Sequence, residues 1–238
     1  MSSSHEALVD MGFPEERVSL ALSRTGGDID AALTWLLASP GDDTPSAEVV
    51  TGTLSQYSLE EGRSACSAIS VVGAAEFLAA NPTIDGSWLD NMVLTGYALY
   101  QQVSGGSPVD HMSPEEVLPH VPQLELVGGI RQGLTMGGFT DVLRDCVPPS
   151  GWCCAVITKS PETIWIALSA TGECWLVDSH PRPPLYEHAY AKKHASLEEL
   201  CTQSLQPLFP PVELGPGVPE MMAMMYNSFD VYCVRLRS

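Results

Sequence analysis

Two places in the sequence carry residues able to do nucleophilic chemistry. Cys66 stands in Ser64-Ala65-Cys66-Ser67-Ala68-Ile69, at the first turn of an apolar helical run that reaches Leu78. Unpaired N–H groups and the positive end of the helix dipole gather at such a position, where they stabilise an anionic sulfur and the oxyanion it creates. Much later, Asp178-Ser179-His180 closes a strand-like run. With the chain extended through 180, a period of two sets Asp178 and His180 on one face. A carboxylate beside an imidazole fixes its tautomer and stabilises the imidazolium, which is what a thiol hydrolase requires. Each piece has a plainer reading: a buried cysteine at a helix start is commonly a small hydrophobe, and Asp-x-His is commonly a turn. The combination carries the argument.

The elements that must position these residues come as helices first and strands later. The run Ser64–Leu78 stops before Asn81-Pro82, because a residue preceding proline leaves the helical region. Ser87 with Asp90 opens a second helix through Met92, Val93 and Leu99, and Ser113-Pro114-Glu115-Glu116 starts a third. Strand-like runs follow over 152–158, 163–168 and 173–178, the last two joined by Ser169-Ala170-Thr171-Gly172 as a hairpin. Ser196 opens a late helix, and 229–236 reads as a closing strand. Helices followed by an antiparallel sheet make an α+β domain. Cys153, Cys154, Cys174 and Cys233 read as packing, and Cys146 and Cys201 have no basic partner nearby in sequence. His5, His111, His120, His188 and His194 read as solvated surface.

Composition limits the partners. Among 238 residues, 29 acids stand against 11 bases, a net charge of −18. Nucleic-acid backbones and anionic membranes are therefore not expected partners, since both would be repelled. No apolar run approaches the ~20 residues that cross a bilayer. The opening residues Met1–Glu6 have neither the basic region nor the apolar stretch of a secretory signal, so an intracellular, cytoplasmic place (or delivery into a host cytosol) is expected. Seven cysteines, an odd number lacking CxxC or Cys/His metal spacing, point to reduced thiols, with no metal and no cofactor expected.

The segment Pro40-Gly41-Asp42-Asp43-Thr44-Pro45-Ser46 has breakers and no apolar period, so it divides the chain. The expected organisation is a small module over 1–39, a linker over 40–53 and a larger body over 54–238. In the module, Ser3 and Glu6 suit a capping box, Pro14 suits the first turn of a second helix, and Gly26-Gly27-Asp28 separates a third. Three helices in so short a stretch bury little and serve to present a surface.

That module resembles a ubiquitin-associated (UBA) domain. The resemblance rests on Met11-Gly12-Phe13, Thr25-Gly26-Gly27-Asp28 and Ala31-Ala32-Leu33-Thr34-Trp35-Leu36-Leu37. It implies a three-helix bundle that binds ubiquitin weakly through Met11, Gly12, Phe13 and Leu37. In the plainer reading, Met11 and Phe13 are core of the bundle.

The body resembles the herpesvirus tegument-type deubiquitinases, which are papain-like cysteine peptidases. The matching pieces are Gly52-Thr53-Leu54-Ser55-Gln56, Gly62-Arg63-Ser64-Ala65-Cys66-Ser67-Ala68-Ile69 and Leu176-Val177-Asp178-Ser179-His180. The resemblance implies Cys66 as nucleophile, His180 as general base and acid, Asp178 as its orienter and Gln56 as oxyanion donor. The UBA-like module is not a usual part of the viral proteins, so a cellular or bacterial relative is implied. Together the two resemblances imply hydrolysis after the terminal glycine of ubiquitin or polyubiquitin chains, through a thioester. A non-catalytic ubiquitin receptor and a thiol protease for another modifier such as NEDD8 are the alternatives. The acidic body suits the arginine-bearing tail of ubiquitin. Leu126-Val127-Gly128-Gly129-Ile130 reads either as the lining of a groove for that tail or as a loop. Met221-Met222-Ala223-Met224-Met225 reads either as core or as a soft face that touches substrate.

Overall fold

The computed structural model describes residues 4–13, 15–38, 48–105, 111–215 and 217–237, apart from the side chains at 10, 16, 20, 37 and 38. These residues fall into two units. In the first, α1 (Ser4–Asp10), α2 (Glu15–Arg24) and α3 (Ile29–Ala38) follow one another through short turns. Gly26 and Gly27 take φ values of 63° and 87°, a left-handed conformation that side chains resist and that ends α2 abruptly. Asp28 then caps α3, its Oδ1 accepting from the N–H groups of Asp30 and Ala31 at 3.0 Å each. The three helices close on a small core of Leu8, Val18, Ala21, Ala32 and Leu36. Ser3 and Pro14, expected to cap α1 and to open α2, lie outside the described residues.

The second unit is built on a seven-stranded sheet, antiparallel at every pairing. Its strands are β1 (Val49–Thr51), β2 (Leu124–Leu134), β3 (Trp152–Lys159), β4 (Glu162–Ser169), β5 (Cys174–Asp178), β6 (Tyr190–His194) and β7 (Ser228–Leu236). They lie in the order β1-β6-β5-β4-β3-β7-β2. Alternation divides β4 cleanly: Trp165 and Ala167 join the core beneath the helices, while Ile164, Ile166 and Leu168 are buried on the other face.

Helix α4 (Cys66–Ala80) runs over the first face and is apolar nearly all round, because it is sandwiched between the sheet and α5 (Gly86–Ser104). The two helices meet backbone to backbone. A Cβ on Gly96 would stand 2.4 Å from the Ile69 Cα, so only glycine permits this approach. Asn81, in the left-handed region at φ 42°, ends α4, and the Asp85 carboxylate accepts the Trp88 N–H at 2.8 Å to start α5. The short α6 (Pro114–Val117) is capped by Ser113 and Glu116 as its sequence predicts. Near the other face, α7 (Thr140–Arg144) is followed in the chain, after β6, by α8 (Leu197–Leu200), a π-turn over Cys201–Leu205 and α9 (Gln206–Leu208). There Phe139 stacks on Phe229 with centroids 4.3 Å apart. A last helix, α10 (Glu220–Asn227), leads straight into β7.

Of the linker expected over 40–53, positions 40–47 lie outside the described residues. Val49–Thr51 are strand β1, paired with Tyr190, Ala191 and Lys192 of β6. Three residues are too few to show a period of two, so the pairing exists only through the partner strand.

Candidate active site

Helix α4 starts where a tight turn ends. Gly62–Ser64 form a single 3-10 turn, the Ala65 N–H closes it on the Gly62 carbonyl at 3.1 Å, and Cys66 is the first helical residue. A chain of hydroxyls pins this helix start to the β3–β4 hairpin. Ser67 Oγ lies 3.0 Å from Thr163 Oγ1, which lies 3.0 Å from Thr158 Oγ1, and Ser70 Oγ donates to the Thr163 carbonyl at 3.2 Å. Pro161, in the hairpin turn, brings its carbonyl oxygen to 4.0 Å from Cys66 Sγ. The sulfur therefore sits at the hairpin end of the central strands β3 and β4, with its residue only 3% exposed.

Strand β5 ends at Asp178, and its carboxylate organises the next two residues. Asp178 Oδ1 accepts the His180 backbone N–H at 2.8 Å and faces the ring Nδ1 at 2.6 Å. The alignment expected from strand alternation is thus produced by a carboxylate that closes a turn. With Nδ1 committed to Asp178, Nε2 is left for the Cys66 sulfur, the ring's other hydrogen-bond partner. Burial alone disfavours the imidazolium. The charge and hydrogen bond of Asp178, together with the Cys66 sulfur, outweigh it and raise the His180 pKa to about 10. Tyr57 stands edge-on to the ring at 5.9 Å, and the Arg63 guanidinium lies 5.9 Å from the Tyr57 ring.

Gln56 is fully buried beside the turn that leads to Cys66. Its Nε2 donates to the Arg63 carbonyl at 3.0 Å, and its Oε1 accepts the Ser179 hydroxyl at 2.7 Å. Asp90 of α5 steers the segment that delivers it, accepting Thr53 N and Oγ1 at 2.7 Å each and Leu54 N at 2.9 Å. Neither Ser179, as a partner of Gln56, nor Asp90, as a partner of Thr53 and Leu54, stands out in the sequence. The alternation along Asp178-Ser179-His180 is the one signal that separates Ser179 from its neighbours.

The structure thus brings Cys66, His180 and Asp178 together and ties Gln56, through the Arg63 carbonyl, to the turn that leads to Cys66. Met11, Gly12, Phe13 and Leu37 belong to the other unit. Met11 is 59% exposed in the loop after α1, Gly12 holds φ 92° there, and Phe13 packs partly against the small core. The side chain of Leu37 lies outside the described residues. The segment 126–130 is neither groove lining nor loop: it is a bulge in β2, with Gly128 and Gly129 at φ 71° and 82°. Its register, Leu126 on Val234 and Val234 on Cys154, places it toward the end of β3 remote from Cys66. The methionines of α10 are exposed rather than core, Met221 at 75% and Met225 at 69%. Lys159 Nζ, just before the hairpin turn that touches Cys66, donates to the Tyr226 carbonyl of α10 at 2.7 Å.

His194, expected on the solvated surface, is not there. It is buried under α8 and the π-turn, its Nε2 2.9 Å from Ser204 Oγ, and burial with the nearby Lys192 charge pushes its pKa down to about 4. Among the described residues, no group of three or more His, Cys, Asp or Glu side chains is placed to hold a metal ion. Nor is any helix among them long and apolar enough to cross a membrane.

A family model described as a UBA-like domain matches residues 6–47. No curated protein sequence matches the chain. Among solved structures, the avirulence protein AvrPphB of Pseudomonas aligns with 72% of this chain and 92% of its own, at 11% identity and a TM-score of 0.44.

Proposed function

We propose that this protein is a cysteine-type deubiquitinase: a papain-like peptidase, similar to the herpesvirus tegument-type enzymes, carrying a UBA-like ubiquitin-binding module. The observation that carries the reading is the convergence of Cys66, His180 and Asp178 from the start of α4 and the end of β5. In this reading Cys66 attacks the carbonyl of the terminal glycine of ubiquitin. The proton held on His180 passes to the departing amine, leaving a thioester that water hydrolyses with His180 as base. Helix-start N–H groups and Gln56 hold the oxyanion. Asp178 keeps the ring turned toward the sulfur and stabilises its charge.

Three features support ubiquitin as the substrate. The UBA-like module at 6–47 raises the local concentration of a modifier that it holds. The net charge of −18 favours the basic tail that must reach the thiol. The exposed methionines of α10, tied by Lys159 to the hairpin beside Cys66, offer an adaptable apolar contact near the point of entry.

An electrophilic ubiquitin probe, with a thiol-reactive group in place of the terminal glycine carboxyl, tests the reading. The expected result is a covalent adduct at Cys66 that is absent from Cys66→Ala. Probe binding without an adduct would instead mark a ubiquitin receptor, and an adduct only with the NEDD8 probe would mark a protease for that modifier.

A further inference from the structure

We propose that Ser179 is a positioning residue that fixes the aim of the Gln56 amide, an inference that rests on the hydrolase reading above. The Arg63 carbonyl can only accept, so the nitrogen end of the Gln56 amide must face it, 3.0 Å away. That leaves Oε1 toward the Ser179 hydroxyl at 2.7 Å, where the hydroxyl has to donate. The Gln56 backbone N–H donates in turn to the Ser179 carbonyl at 3.0 Å, so the two residues are joined by main chain and by side chain. Both are buried, Gln56 fully and Ser179 to 3% exposure, and water does not replace a lost bond easily there.

A terminal amide torsion is soft, with no staggered well to hold it. Two opposed hydrogen bonds give it one orientation, and in that orientation the second hydrogen of Nε2 is held for the oxyanion. The tripeptide Asp178-Ser179-His180 then organises both halves of the site. Residues 178 and 180 set the base, while the intervening side chain turns away and sets the oxyanion donor.

The oxyanion exists only after attack, so the loss of Ser179 should act on kcat and spare KM. The experiment follows hydrolysis of a fluorogenic amide at the ubiquitin C-terminus by full-length wild type, Ser179→Ala, Gln56→Ala and the double variant. We expect Ser179→Ala to lower kcat about tenfold with KM within about twofold of wild type, and Gln56→Ala to lower kcat about 10²-fold. The double variant should match Gln56→Ala alone, because Ser179 acts only through that amide. Iodoacetamide alkylation of Cys66 displaces iodide at a saturated carbon without forming an oxyanion, so its rate should be the same in wild type and Ser179→Ala. Should Ser179→Ala not fold, the equal-sized pair Ser179→Thr and Ser179→Val decides. Threonine keeps the hydroxyl and should hold kcat about tenfold above valine.

Additive losses in the double variant, slowed alkylation in Ser179→Ala, or equal kcat for the threonine and valine variants would each overturn the inference alone. A wild type that hydrolyses no ubiquitin amide would overturn the hydrolase reading and this inference with it.

Discussion

Asp178 grips His180 twice, through the ring nitrogen at 2.6 Å and through the backbone N–H at 2.8 Å. One carboxylate therefore sets both the path of the chain after β5 and the tilt of the imidazole. A carboxylate that only neutralised charge would leave the ring free to turn. This one leaves Nε2 with a single direction, toward the sulfur at the start of α4.

The His180 pKa of about 10 lies above the ordinary 6.5, so between those values the folded protein holds a proton that the unfolded chain has lost. The ion pair's contribution to stability is complete below about pH 6.5 and disappears as the pH climbs through 10. Asp178→Asn removes the charge that opposes burial, so the imidazolium is no longer favoured. It should lower kcat/KM by about 10²–10⁴-fold and bring the alkaline limb of the pH profile down from near 10 toward neutrality. Melting curves at pH 7 and 10 give a second measure: wild type loses stability over this range and the variant changes little. An unshifted alkaline limb in Asp178→Asn would show that another group holds the proton.

How much of this was legible in the sequence depends on how local each signal is. Cys66 announces itself at the start of an apolar helical run, and Asp178 with His180 at the end of a strand, because both patterns are complete within a few residues. Gln56 enters only through resemblance. Its partners Ser179 and Arg63, and the Asp90 that holds Thr53 and Leu54 before it, are assembled by folding, and no period marks them. Strand β2 is hidden because Gly128 and Gly129 break its alternation with a bulge. Strand β6 is hidden because Lys192, Lys193 and His194 make it read as surface. In the fold, Ala191 and His194 are fully covered, and Lys193 pairs with Glu173 at 3.3 Å. The methionine stripe of α10 misleads in the opposite sense, since helical spacing reports which side chains share a face and not whether anything covers it.

Gly62 has a steric role that can be tested directly. A Cβ there would lie 2.1 Å from the Gln56 carbonyl oxygen and 3.1 Å from Leu59 Cβ. Backbone cannot yield as a flexible side chain does, so Gly62→Ala must push apart the two turns that carry Gln56 and Cys66. We expect a loss of about 1–3 kcal/mol in denaturant unfolding, as for other overpacked sites, together with a fall in kcat. Gly96→Ala, which would press on Ile69 Cα, should cost similar stability. Wild-type kcat in Gly62→Ala would mean that the spacing of the two turns does not matter to the reaction.

In the small helical unit, Met11 and Phe13 should separate under mutation. Met11 is mostly exposed, whereas Phe13 packs partly against the core of Leu8, Val18, Ala21, Ala32 and Leu36. Met11→Asp should therefore weaken ubiquitin binding by about tenfold with no change in helix content, measured on the full chain carrying Cys66→Ala. Phe13→Ala should weaken binding and also lower the melting temperature of this unit, because it removes packing as well as surface. Equal binding by wild type and Met11→Asp would move the ubiquitin contact away from this loop.

Helix α10 presents a largely uncovered methionine face. Met221 and Met225 are one helical turn apart, on a shared face that is largely exposed, and the Lys159–Tyr226 bond fixes the helix next to the hairpin that touches Cys66. If this face meets the modifier before and during reaction alike, its contribution is uniform binding, which appears in KM and not in kcat. Met221→Ser with Met225→Ser should raise KM about fivefold, close to 1 kcal/mol of lost contact, and leave kcat within about twofold. Both side chains are in solvent, so unfolding should shift by less than about 0.5 kcal/mol. A control at Met136, which is 76% exposed but follows β2 and not α10, should leave KM unchanged. If the α10 pair changed kcat alone, the helix would be acting on the chemistry through the hairpin. If neither constant changed, the modifier would have to approach Cys66 from another side of the hairpin.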